Sequence, residues 1–405
     1  MRIALVSEHA NPLAAVGSVD AGGQNVHVAA LAGGLAELGH DVVVYSRRDD
    51  PTVPDRVRGP EGYLVEHVPA GPPSDVPKDE LLQYMPAFAE HLCARWSQEP
   101  VDLVHAHFWM SGLASVDAAR PLGVPVLQTF HALGTVKKRN QGARDTSPPL
   151  RIPLERRLTR TVDHVISTCS DEVAELQAMG MPRSRASIIP CGVDPDAFRP
   201  LDVDRPADAP PRLLVIGRLV ERKGVGNVIE ALEKLPGVQL SVAGGPPRDQ
   251  LEADPEVGRL REVASRLGVA DRVEFLGAVG RADVPALMGG SDVVVAVPWY
   301  EPFGIVPVEA MACGRPVVGS AVGGLLDTVV PGVTGELVAP RRPDLLAEVL
   351  RDLLSDPARR ERYGWAGRRR ALETYQWREV VAATEQVYDS VLSASVATGT
   401  TTGVN

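Results

Sequence analysis

The chain has 405 residues, 44% hydrophobic and 23% charged, with 38 Gly and 35 Pro, which exceeds what one core serves and predicts two turn-rich α/β domains of about 200 residues. A net charge of -10 excludes broad nucleic-acid binding, which needs a basic face to displace counterions, so an anionic ligand must meet a local basic patch. Cys93, Cys169, Cys191 and Cys313 lack C-x-x-C spacing and no run reaches the roughly 18 to 20 apolar residues of a membrane span, so a reducing, cytoplasmic setting is expected.

In chain order, RIALV at 2 reads as a buried strand, GQNVHVAALAGGLAELG at 23 has helical periodicity, and DVVVY at 41 is a strand, which together make a βαβ unit. VDLVHAH at 101, a helix ending near Pro121, VPVLQTF at 124, a helix near 150 to 162, HVISTC at 164, the helical DEVAELQAMG and ASIIP at 186 continue the alternation. Such alternation predicts a parallel sheet covered on both faces. FRPLDVDRPADAPPR shifts to Pro and Asp and reads as a linker, after which RLLVIGR at 212, VGNVIEALEKL, VQLSVAGG, RVEFLG, DVVVAVP and RPVVGS restart the pattern. The expected division is a Rossmann-like domain over 1–198, a linker over 199–211 and a second Rossmann-like domain over 212–375. A helix over 376–393 then crosses back to the first domain, and 394–405 form a mobile tail. Two doubly wound domains facing a central cleft would place functional residues in loops just after strands.

Candidates stand at those places. Asp20 to Gln24 links the first strand to the first helix, where Gly22 and Gly23 let backbone N–H groups approach a phosphate. A tight turn needs glycine for itself, and the full G-x-G-x-x-G spacing of a dinucleotide fold is absent. Gly217 opens GRLVERKG, whose Arg218 and Lys223 can clamp a diphosphate from a strand's carboxyl end; a solvated loop carrying Glu221 and Arg222 is the plain alternative. His131 ends VPVLQTF, either facing the cleft or serving as a hydrogen-bonded structural residue. His105 and His107 have the spacing of a metal pair without a third ligand, so packing is the reading and no metal site is expected. Lys137, Lys138, Arg139, Arg144, Arg151, Arg156, Arg157 and Arg160 stand against Asp145 and Glu155 alone. That basic stretch faces an anionic substrate, an anionic membrane surface, or only solvent.

WYEPFGIVPVEAMACGRP (299–316) sets Glu301 and Glu309 in an apolar, turn-rich segment. On one helix they would lie about 12 Å apart, beyond the carboxylate separations of glycosidases. Pro302, Gly304 and Pro307 argue instead for a loop followed by a helix, with Glu309 in its first turn and the amides of Phe303, Gly304, Ile305 and Val306 forming an anion site. Two carboxylates flanking such a turn suit the hydroxyls of a nucleotide sugar.

The E-x7-E element of Glu301 and Glu309 with EPFGIVPVEAMACGRPVV resembles the signature of retaining glycosyltransferases of family 4, which have the GT-B fold. GRLVERKG, the AGG turn, FHALG around His131 and IIPCGVDPDAFRP match in the same order. The resemblance implies that Arg218 and Lys223 hold the donor diphosphate, with Gly217, Gly22 and Gly23 near it. By the same resemblance Glu309 binds ribose hydroxyls, Glu301 and the Phe303 to Val306 backbone contact the donor sugar and phosphate, and His131 stands at the reaction centre. It implies a UDP-linked donor, a hexosyl or N-acetylhexosaminyl transfer, and no cofactor, enzymic nucleophile or divalent metal.

SVDAGGQNVHV, KDEL, HAHFWMSG and FHALGTVKK are similar to the sucrose-phosphate synthase branch and to the inositol-phosphate glycosyltransferase of mycothiol synthesis. There Asn25, Lys78 and Arg151 match acceptor contacts, while Phe108 and Ala132 occupy phosphate-contact positions that carry hydroxyls in that enzyme. The expected acceptor is therefore a small polar molecule: a sugar, a cyclitol or their phosphate. The alternatives are a peripheral membrane transferase using the basic stretch and a nucleotide-sugar-binding protein without activity.

Overall fold

A computed structural model describes residues 1–13, 22–206 and 208–399, the side chains of 396–399 excepted. Asp20, at the start of the expected glycine turn, and 400–405 of the expected tail lie outside the described residues. The chain forms two compact units, Met1–Cys191 together with Trp377 onward, and Gly192–Gln376.

The first unit runs β1 (Arg2–Val6), α1 (Gly23–Glu37), β2 (Asp41–Arg47), β3 (Arg56–Arg58), β4 (Leu64–Val68), α2 (Met85–Gln98), β5 (Leu103–His107), α3 (Trp109–Ala119), β6 (Val126–Thr129), α4 (Gly134–Gln141), α5 (Arg151–Thr161), β7 (His164–Ser167), α6 (Ser170–Ala178) and β8 (Ala186–Ile188). Its sheet has the order β3-β4-β2-β1-β5-β6-β7-β8, parallel except for β3 against β4. Alternate residues of one strand feed two cores. Ala4 and Val6 join Val43, Tyr45 and Val104 on one face, while Ile3 and Leu5 join Val42, Val44 and Leu103 on the other. That double burial explains why β1 and β2 read as unbroken apolar runs.

The second unit runs β9 (Arg212–Ile216), α7 (Val225–Leu232), β10 (Gln239–Ala243), α8 (Pro255–Arg266), β11 (Val273–Gly277), α9 (Val284–Gly289), β12 (Val293–Ala296), α10 (Ile305–Ala312), β13 (Val317–Ser320), α11 (Leu325–Thr328), β14 (Gly335–Val338), α12 (Pro343–Leu354) and α13 (Pro357–Thr374). The sheet order is β11-β10-β9-β12-β13-β14, all parallel. Residues expected to form a linker pack within this unit. Arg205 pairs with Asp292 at 2.8 Å, and a Cβ on Gly289 would lie 2.8 Å from Val203. The last helix, α14 (Trp377–Gly399), belongs to the first unit, where Val380, Val381 and Tyr388 share a core with Val28 and Leu31 of α1.

Both sheets are doubly wound, so each has a point where strand order reverses. It falls between β1 and β5 in the first unit and between β9 and β12 in the second. Ligands of open α/β sheets sit outside the carboxyl ends of the strands at such points.

Candidate functional site

In the second unit, the loop after β9 carries Gly217, Arg218 and a short 3-10 turn over Glu221–Lys223 that ends at Gly224. Gly224 has φ 76°, and a Cβ there would sit 2.1 Å from the Val297 carbonyl oxygen, so only glycine lets this loop close on the one after β12. The Trp299 N–H, donating to the Arg222 carbonyl at 2.8 Å, ties the same two loops. Their closure brings the Lys223 ammonium onto the Glu301 carboxylate as a hydrogen-bonded ion pair. Burial alone would favour neutral Glu301, but the charges of Lys223, Arg222 and Arg218 outweigh it and hold its carboxyl below the ordinary range. Thus Lys223 of the expected diphosphate clamp and Glu301, the expected sugar contact, meet each other.

Helix α10 begins at Ile305, earlier than Pro307 suggests, so Glu309 falls in the second turn rather than the first. Pro307 is tolerated because the first four amides of a helix have no intrahelical acceptor. Gly304, at φ 87°, precedes the helix without a side-chain cap, which leaves the leading end of α10 to offer its amides outward. Glu309 is only 3% exposed. Arg281 Nη1 lies 2.9 Å from its Oε1 as an ion pair, and among the described residues Oε1 has no well-formed hydrogen bond. Burial raises the Glu309 carboxyl to about 7 despite the Arg281 charge. Arg281 also stacks 4.8 Å over the Phe198 ring. No motif in the sequence marks Arg281; only the fold brings it from the loop after β11 to Glu309.

In the first unit, Gly22 caps α1, its N–H donating to Asn25 Oδ1 at 3.1 Å, while Asn25 Nδ2 donates to the Asn11 carbonyl at 3.0 Å. The Asn25 amide, expected at the acceptor, is thus engaged in shaping this turn. A Cβ on Gly22 or Gly23 would meet nothing within 4 Å. Packing among the described residues therefore does not demand glycine at either position.

Two strained residues follow adjacent strands. Phe108, after β5, has φ 82° and ψ 156°, a conformation nearly reserved for glycine, and His131, after β6, has φ 59°. The Phe108 backbone is held on every side: its N–H donates to the Thr129 carbonyl at 2.8 Å, and its carbonyl accepts from Gly112 N–H at 3.1 Å and Gln128 Nε2 at 3.0 Å. Its ring meets the edge of His9 at 4.8 Å, with Lys78 Nζ at 5.4 Å and the Arg151 guanidinium at 5.2 Å. Lys78, Phe108, Ala132 and Arg151 therefore form one cluster, since Arg151 Nη2 donates to the Ala132 carbonyl at 2.8 Å. The remaining Arg151 donors reach the buried Glu155 at 2.8 Å and Ser147 Oγ at 3.3 Å.

His131 Nε2 faces His107 Nδ1 at 3.0 Å, and the His107 ring lies 4.2 Å from that of His105. His105 is bonded to Tyr388 Oη at 2.7 Å and to Thr129 Oγ1 at 2.8 Å. The His27 ring completes the cluster, 5.2 Å from His131. Burial depresses all four imidazoles, His27 to about 4 and His105 to about 3, with His107 and His131 well below the ordinary value, so the cluster is neutral at physiological pH. The spacing of His105 and His107 is thus used for packing and hydrogen bonding, and among the described residues no group of three or more His, Cys, Asp or Glu is placed to hold a metal ion. Two residues escaped the motif reading, Glu8 and His9 directly after β1. Glu8 is buried, bonded to the Ser111 hydroxyl and to His9 Nδ1 at 2.7 Å. A polar pair ending an otherwise apolar strand at the reversal point was the available signal.

Four cations of the basic stretch are paired with carboxylates. Lys137 pairs with Asp145 at 3.2 Å and Asp79 at 3.6 Å, Arg139 with Glu175 at 2.7 Å, Arg151 with Glu155 and Arg157 with Asp117 at 3.2 Å.

Residues 21–197 match the profile described as Glycosyltransferase Family 4, and 202–370 match Glycosyl transferases group 1. The chain belongs to glycosyltransferase family 4. This glycosyltransferase is 35% identical over 407 residues to D-inositol 3-phosphate glycosyltransferase 1 of Catenulispora acidiphila, covering 96% of both chains. It is 37% identical to the D-inositol 3-phosphate glycosyltransferase of Mycobacterium marinum, across 88% of this chain and 78% of that one. Among solved structures, sucrose-phosphate synthase from Thermosynechococcus elongatus superposes with a TM-score of 0.90 at 32% identity, covering 97% of this chain and 99% of that one. The two parallel-sheet units of this glycosyltransferase are thus those of the GT-B fold. Among its described residues, no helix is long and apolar enough to cross a membrane.

Proposed function

We propose that this glycosyltransferase moves a sugar from a UDP-linked donor to a small polar acceptor, a sugar, a cyclitol or their phosphate, with retention at the anomeric carbon. The observation that carries the reading is the arrangement at the β9/β12 reversal point, where Arg218, Lys223 and the open start of α10 share one loop pair with two carboxylates. Diphosphate bound there meets fixed positive charge and helix amides, which stabilise the leaving group as its charge grows when the glycosidic C–O bond breaks. Glu309 takes the ribose hydroxyls, Glu301 the hydroxyls of the sugar, and His131 a further sugar oxygen. The departing phosphate oxygen receives the acceptor's proton on the face from which it leaves, so the chain need not supply a nucleophile, and its cations take the charge that a divalent metal would otherwise meet.

The names of the inositol-phosphate and sucrose-phosphate relatives support a polyol or polyol-phosphate acceptor. Phe108 and Ala132 add no hydroxyl to the Lys78 and Arg151 cluster, and much of the Arg151 guanidinium is already bonded; this favours an acceptor that relies on ring contact and hydroxyls rather than a fully coordinated phosphate. The ion pairs of Lys137, Arg139, Arg151 and Arg157 weaken the support for an anionic membrane surface.

The test incubates the protein with a panel of nucleoside diphosphate sugars and of sugars, cyclitols and their phosphates, with and without EDTA, and detects glycosides by mass spectrometry. A glycoside formed equally in EDTA is expected. Donor bound but never transferred would establish the binding-protein alternative.

A further inference from the structure

The histidine cluster contains more order than a packed core requires, and its hydrogen bonds fix where the protons lie. Thr129 Oγ1 donates to the Ile166 carbonyl at 2.9 Å, so toward His105 it can only accept. His105 therefore carries its proton on Nε2, and its Nδ1 accepts from the Tyr388 hydroxyl. Tyr388 stays protonated, because burial raises its phenol well above the ordinary value.

The next ring has a choice. His107 Nδ1 and His131 Nε2 share one proton at 3.0 Å, and among the described residues the buried His107 Nε2 has no hydrogen-bond partner. If His131 donated, neutral His107 would have to carry its proton on Nε2, burying an N–H with no acceptor. If His107 donates, only a bare ring nitrogen is left unmet. Orphaned buried N–H groups are the rarer outcome, because a carbonyl or ring acceptor left bare loses less than a donor left unmet.

We propose that His107 is a positioning residue whose Nδ1–H donates to His131 Nε2, holding His131 as the tautomer that carries its proton on Nδ1 and presents it as a hydrogen-bond donor. The His131 backbone supports the assignment: a positive φ of 59° sets this side chain apart from its strand, and the residue is only partly buried while His105 and His107 are fully buried. The other imidazoles thus form a neutral scaffold that fixes one partly exposed N–H. That N–H would meet an oxygen of the donor sugar, a role that rests on the donor-site reading above.

The experiment combines two measurements on the full chain. Long-range 1H–15N correlation spectra of histidine-labelled protein report the His131 tautomer directly, and steady-state kinetics report kcat and the donor KM for His107→Phe, His107→Asn and His131→Ala. His131 should carry its proton on Nδ1 in the wild type and lose that preference in His107→Phe, whose kcat should fall about tenfold or more with donor KM changed less than about twofold. His107→Asn can place an amide N–H near the former Nδ1 and should recover most of the loss, which a purely structural role would not produce. A proton on His131 Nε2 in the wild type overturns the proposal whatever the kinetics. An unchanged kcat in His131→Ala overturns the donor-site reading instead, while the spectra still decide the tautomer.

Discussion

The two units each bury a glutamate against an arginine, and they treat the pair differently. In the first, Arg151 and Glu155 are both sealed, at 4% and 0% side-chain exposure; the carboxylate also accepts the Gly134 N–H, at 2.8 Å to Oε2. In the second, Glu309 is buried at 4% while Arg281 remains 33% exposed, and among the described residues the carboxylate oxygen facing Arg281 has no well-formed hydrogen bond. Burial raises both carboxyl groups, that of Glu309 to about 7. The first pair is closed to solvent, whereas the second leaves its cation open to solvent, as the proposed role of Glu309 in donor binding requires. Lys223 and Glu301 belong to the second kind, being partly exposed on both sides.

The comparison is most severely tested where an open pair should govern chemistry. On the proposed mechanism, in which its charge stabilises the leaving diphosphate, Lys223→Ala is expected to lower kcat by about a thousandfold, and coupled release of nucleoside diphosphate measures it. Retained turnover would break the distinction. The sealed pair should respond first through stability, beside any loss at the acceptor cluster to which Arg151 also belongs. Arg151→Ala leaves Glu155 buried without its cation and is expected to cost about 3 to 5 kcal/mol in denaturant unfolding.

A pH series separates the pairs further. Glu309 has a folded value near 7, above the ordinary 4.5, so the native state holds an extra proton between those values. Its contribution to stability is fully present below about 4.5 and is lost as pH rises through about 7. Relative to wild type, Glu309→Gln should therefore gain up to about 3 kcal/mol between pH 4 and pH 8, read from unfolding curves at each pH. The smallest effect concerns the acceptor cluster. Phe108→Tyr combined with Ala132→Thr adds two hydroxyls beside Lys78 and Arg151, and is expected to tighten phosphorylated acceptors by about tenfold while leaving donor KM unchanged.

Much of this was legible because burial on both faces forces the simplest pattern a sequence can show. RIALV and RLLVI are apolar after an opening arginine and VVVA is apolar throughout, and each became a central strand. LVEHV at 64 was missed because it carries a buried glutamate, which Arg56, Arg95 and His91 satisfy at 2.8, 3.0 and 2.7 Å. The placement of GRLVERKG and Glu301 in loops after strands was readable because the break from apolar run to turn residues is local. Arg281 and the partners of the basic stretch were not, since Asp79, Asp117 and Glu175 reach it from other elements. A local count of cations finds charge, and only the fold shows which charge is already spent. The start of α10 slipped for a related reason: Pro307 suits the first turn at more than one position, and the fold chose the third.

The most direct test of the account follows the first product of the reaction by 1H NMR, comparing its anomeric configuration with that of the donor sugar. The same configuration in donor and product is predicted, since the departing phosphate assists the acceptor on the face it leaves. An inverted product would contradict the account, because it would require a base on the opposite face of the sugar.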